Sequence, residues 1–99
     1  MRQFDVCRTK AGALVVILQS DFWPGDPAVR IVAPLRPAQN VKAIDRIDIA
    51  VSLDGKPHIV RMSQMAAIQA RSIVPGSIAN VADQRDAFIT AIDLIFLGF

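Results

Sequence analysis

Few side chains in this 99-residue chain are equipped for chemistry, and they are scattered along it. There is one cysteine, Cys7, and one histidine, His58, beside nine aspartates and no glutamate. A zinc site takes about four closely set Cys, His or carboxylate ligands, and no stretch supplies them, so neither a metal nor another cofactor is expected. No glycine-rich phosphate loop follows a strand. His58 lies just past a turn, between Pro57 and Ile59, with no neighbour to orient it as a general base. It reads as a structural or solvent-facing ring. Cys7 lacks a matched His–Asp setting and reads as a buried thiol. Being alone, it cannot form an internal disulfide, which fits a reducing compartment. Arg30 and Arg61 fall on separate predicted strands, and the sequence leaves open whether they converge. Asp45-Arg46-Ile47-Asp48 reads as a solvated charged patch.

With so little catalytic equipment, the apolar residues are the more informative ones. They make up 53% of the chain, high for a small domain with a limited interior. Some of them should lie at an interface. Two places stand out. Ile92-Asp93-Leu94-Ile95-Phe96-Leu97-Gly98-Phe99 is nearly all apolar, and its large side chains cannot all face one core when spread around a helix. Such a helix is either covered on two sides, or Leu97 and Phe99 project as anchors for a groove on another protein. The second place is Asp21-Phe22-Trp23-Pro24-Gly25, where two adjacent aromatics sit in a turn-rich segment. A tryptophan there suits a protein contact or a lid over the core.

The elements that must hold these residues follow from periodicity. Residues 3–8 alternate as a half-covered strand does, and Ala13 to Gln19 is apolar on both faces, as a central strand is. Asp21 to Pro27 is a loop, and Ala28 to Leu35 a third strand closed by Pro34 and Pro37. Arg36 to Arg46 fits a short helical turn or an irregular excursion. Ile47 to Leu53 and His58 to Met62 flank Asp54-Gly55-Lys56-Pro57, a hairpin signal. Met65 to Pro75 should add one or two short strands. From Val81 to Leu97 there is neither glycine nor proline, and Val81, Phe88, Ile92, Ile95 and Phe96 recur at helical steps. Asn80 or Asp83 can cap the start, and Gly98 suits the stop. The expected fold is a mainly β single domain over residues 1–99: a small barrel with an appended C-terminal helix.

Charge and hydropathy narrow the setting. Eleven Lys and Arg give a net charge of +2 without a basic run, a poor match to nucleic-acid binders. Arg8 with Lys10 reads as a solvated strand end. The excess is enough to speed association with an acidic partner. Met1-Arg2-Gln3-Phe4-Asp5 lacks the pattern of a signal peptide, and Ala13 to Leu18 is too short to span a bilayer. A cytoplasmic location and no membrane partner are expected.

Several segments, in order and spacing, resemble one family. Gln19-Ser20-Asp21 ends the second strand, and Ile31-Val32-Ala33-Pro34-Leu35 forms most of the third. Arg61-Met62 is followed by Met65, and Val81-Ala82-Asp83 opens a helix ending Ala91-Ile92-Asp93-Leu94-Ile95-Phe96-Leu97-Gly98-Phe99. Over essentially the whole chain these are similar to the CcdB toxins. The resemblance implies an SH3-like barrel of the CcdB/MazF type with a long C-terminal helix, and a twofold homodimer with Ile95 near its axis. It implies a non-enzymatic toxin that binds the A subunit of DNA gyrase and traps the gyrase–DNA cleavage complex. Its antidote would be a CcdA-type antitoxin with a disordered acidic tail, through which alone it would reach operator DNA in autoregulation and plasmid maintenance. The gyrase contact of the family falls on Leu97, Gly98 and Phe99, helped by Phe96 and Asp93, with Ser20, Phe22 and Trp23 on the same surface. Leu97 stands where the family commonly has Trp, and Asp93 where it has Asn. Two alternatives remain. MazF and PemK endoribonucleases share the barrel, with Arg30, Arg61 and His58 as nominal candidates for such a reaction. A CcdB-like dimer that binds antitoxin without poisoning gyrase is the other.

Overall fold

A computed structural model describes residues 1–98, so Phe99, expected at the functional surface, lies outside the described residues. Seven strands and one helix follow one another: β1 (Asp5–Arg8), β2 (Leu14–Ile17), β3 (Val29–Pro37), β4 (Ile49–Leu53), β5 (Lys56–Val60), β6 (Ala66–Gln69), β7 (Ala79–Asn80) and α1 (Arg85–Phe96). The sheet is antiparallel throughout, in the order β4-β5-β3-β2-β1-β7, with β6 also paired to β3. It curls into a nearly closed barrel. The mainly β architecture with one C-terminal helix is as the sequence implies.

β2 is central, with Val16 facing one core and Val15 and Ile17 the other. The larger core fills the barrel beneath α1, where Val6, Val16, Ala33, Val60, Met62, Phe88 and Ala91 are fully buried. The smaller one gathers Cys7, Val15, Ile17, Val32 and Ile73 on the outer face. Burial pushes the Cys7 thiol up from its usual range, helped by the charge of Asp5. That favours the unreactive, protonated form.

Three expectations are corrected in detail. β3 runs on to Pro37 rather than ending at Leu35, with Pro34 inside it. Residues Val29 to Val32 pair with β6 and residues Leu35 to Pro37 with β5, so Pro34 stands where the strand changes partner. Its missing N–H costs no ladder bond there, while its carbonyl still accepts from Arg61 N–H at 2.8 Å. The β4–β5 turn takes only Asp54 (φ 55°) and Gly55 (φ 77°), a two-residue turn with both φ positive, and Lys56 and Pro57 belong to β5. The helix is shorter than Val81 to Leu97. A tight turn over Ala82–Gln84 precedes the twelve residues of α1, because Val81 (φ −108°, ψ 30°) turns its side chain into the core instead of joining the helix. Neither Asn80 nor Asp83 caps α1, whose start at Gln84 has no side-chain cap; Asn80 Oδ1 instead accepts from Ala82 N–H at 2.9 Å in the turn before it. β7 was not anticipated, since two residues carry no periodicity.

Phe4, just before β1, anchors the helix. Its ring lies 4.8 Å from that of Phe88, and the Arg85 guanidinium stands over it, 5.9 Å from the ring centroid. Phe4 adopts φ 67°, a left-handed conformation that costs a non-glycine residue about 1–2 kcal/mol. Burial of the ring offsets that cost.

Candidate functional site

α1 carries two apolar stripes. Phe88 and Ala91 are buried and Ile95 packs against the same core. The small side chain of Ala91 lets the helix approach the sheet closely. Ile89, Ile92 and Phe96, at steps of three and four, form a second stripe that is open to solvent. The periodicity read from the sequence merges these stripes, placing Ile92 and Phe96 with the core. It also passes over Ile89, whose spacing to Ile92 and Phe96 was the available signal.

The chain leaves the helix at Leu97 (φ −115°, ψ −14°). Leu97 N–H and Gly98 N–H both donate to Asp93 O, at 2.8 and 3.0 Å, and Gly98 takes φ 80°, ending the helix where expected. Phe96 and Leu97 are 65% and 62% exposed. Such exposure in two adjacent large apolar side chains is unusual without a covering partner. Asp93 is half-buried one turn back, and no basic residue stands in the last turn of α1. The helix's own C-terminal dipole is negative, so this end of the molecule is apolar at its tip and electronegative behind it.

The loop residues are placed elsewhere. Ser20 Oγ accepts from Phe22 N–H at 3.0 Å, which turns Phe22 outward to 91% exposure. The indole of Trp23 packs against Gly25, where any Cβ would run into it. Trp23 also lines one cavity with Gln3, Ile17 and Arg30. Asp21 Oδ1 accepts from Gln3 N–H at 2.8 Å, and Gln3 meets Arg85 at 3.5 Å, so the loop is rooted beside the start of α1. Leu97 follows the other end of that helix, about 18 Å along its axis at 1.5 Å per residue. No hydrogen bond or core contact among the described residues joins the two groups within one protomer. Gly25→Ala should therefore free Trp23 and redshift its fluorescence with little change in melting temperature. An unchanged emission spectrum would contradict the packing.

The nominal catalytic residues do not assemble. Arg30 donates to the carbonyls of Pro27 and Val29. Arg61 bonds Pro34, four residues further along β3, about 13 Å away at strand rise. His58 Nδ1 lies 3.0 Å from Lys56 O. The charged patch is corrected as well: the Asp48 side chain is fully buried and pairs with Arg61, Nε to Oδ2 at 3.2 Å, while also accepting from Ile44 N–H at 2.9 Å. Among the described residues there is no cluster of three metal-ligating side chains and no helix long and apolar enough to cross a membrane.

A small, nearly closed antiparallel barrel followed by one C-terminal helix with an exposed apolar tip defines a class of compact barrel-and-helix proteins. Within that class the relationship is specific. Residues 3–98 match the family model for the CcdB protein, and the chain belongs to the CcdB family. No individually curated protein matches it. Family membership suggests the toxin member of a toxin–antitoxin pair.

Proposed function

We propose that the protein poisons DNA gyrase by binding, without catalysis, using the tip of α1 to hold the A subunit of that enzyme and trap its DNA-cleavage complex. The exposure of Phe96 and Leu97 beyond a buried helix stripe carries this reading. Each would contribute roughly 1.5–3 kcal/mol when buried in a partner groove. Leu97 offers no π-face for a partner arginine, so that cation–π term of about 0.5–2 kcal/mol is absent. Asp93 and the helix C-terminus still favour a cation on the partner. Ser20, Phe22 and Trp23 act as a second contact, and Gly98 and Phe99 complete the first. A CcdA-type antitoxin with an acidic tail neutralises the toxin, steered by its net charge of +2. The test is induction in a bacterium, with double-strand DNA breaks expected and bulk RNA intact. RNA fragments without DNA breaks would move the assignment to an endoribonuclease, and neither lesion to a non-poisoning antitoxin binder.

The same reading includes a homodimer. Ile92 is exposed and Ile95, one step along the helix, is half-covered by its own core, so a twofold partner would bury the remainder of both. Ile92→Asp should yield monomers by light scattering, since it would set one charge beside its copy across the twofold axis. A monomeric unmutated protein at micromolar concentration would exclude the dimer.

A further inference from the structure

The strand path begins at β4 and ends at β7, and these two edge strands flank one seam. Counting from the two-residue turn, Leu53↔Lys56, Val51↔His58 and Ile49↔Val60 are the hydrogen-bonded pairs of the hairpin. Ala50 and Ser52 occupy the alternate positions, so their N–H and carbonyl groups point away from β5, toward the seam. Pro57, opposite Ser52, is tolerated for the same reason. On the other wall, Val81 N–H donates to Phe4 O at 2.9 Å, which makes Asp5↔Asn80 a non-hydrogen-bonded pair and turns the Asn80 backbone away from β1. Ala50, Ser52 and Asn80 line one cavity of about 540 Å³. None of their outward backbone groups has a backbone partner among the described residues. β4 also lacks the lysines, prolines and bulges that protect natural edges.

We propose that this seam is a docking site for an extended segment of a partner protein, which enters as an added strand. A strand is the ligand whose two edges answer donors and acceptors on both walls at once. A second copy of the chain, pairing β4 with β4, would leave Asn80 unanswered. The floor of the seam, Val51 and Val81, is apolar and buried, so alternate residues of the guest are β-branched and apolar. Among the described residues, Asp83 is the only charged one lining the cavity, so the guest carries a lysine or arginine. That charge separates it from the acidic tail of the antitoxin proposed above.

The probe is a capped octapeptide alternating valine and threonine with one central lysine, titrated into the full-length protein while amide exchange is followed by NMR. Exchange at Ala50, Ser52 and Asn80 should slow at least about tenfold near saturation. Ser52→Pro removes an outward N–H without touching the β4–β5 ladder and should abolish the slowing at Ala50 and Asn80. Asp83→Lys, at an exposed position, keeps the test valid if the proline variant fails to fold. It should weaken the lysine peptide by about threefold or more and strengthen a glutamate version. The proposal fails if millimolar peptide leaves those three amides unchanged. It fails equally if they are already protected without peptide, in proportion to protein concentration, since the copies would then be pairing through β4.

Discussion

Phe88→Ala should lower the unfolding free energy by about 3–5 kcal/mol, the cost of truncating a fully buried aromatic and leaving its cavity. Phe88 has no exposed surface, packs with its ring tilted 32° and 4.8 Å from that of Phe4, and sits in the larger core cluster, between α1 and the barrel. Since a domain of this size holds about 5–15 kcal/mol in all, much of the native margin would go. Chemical denaturation is the measurement, with a lower midpoint and an unchanged slope expected. Phe96→Ala, on the same helix but 65% exposed, is the control and should change stability by no more than about 0.5 kcal/mol. A loss at Phe88 below about 1 kcal/mol would show that the helix is not held by this contact.

Deleting Leu97, Gly98 and Phe99 should have the opposite profile. Leu97 lies past the last residue of α1 and is 62% exposed, so few core contacts depend on it. A partner groove would lose two apolar anchors worth roughly 3–6 kcal/mol, which weakens binding by about two to four powers of ten. Growth on induction and thermal melting of the purified variant read the two halves of this expectation. A truncated protein that keeps both its melting temperature and its full toxicity would place the contact elsewhere.

The parts of the fold with a strong period were legible in the sequence. Alternation marked β1, the Asp-Gly pair marked the hairpin, and the run free of glycine and proline marked the helix. What escaped depended on tertiary partners. Pro34 looked like a strand end because proline lacks a donor, and only the change from β6 to β5 explains why no donor is missed. Asp48 looked solvated beside Arg46, but its partner is Arg61, which the β4–β5 pairing brings to it. The apolar tip was visible as a surplus no core could absorb. Which of its residues turn outward was not, because Phe88, Ala91, Ile92 and Ile95 span two faces of a helix, and the sheet beneath selects between them.

The contact of Phe4 with Phe88 also sets when the molecule can come into being. One ring precedes the first strand and the other rides on the helix that follows the last, so the core cannot close until every element has left the ribosome. The early strands emerge and wait for a helix that is made after all of them. Because bringing distant parts of a chain together is the slow, entropically costly part of forming such non-local contacts, the activity proposed for this helix would be withheld while the barrel is being synthesised. The antitoxin proposed above would have that interval in which to accumulate.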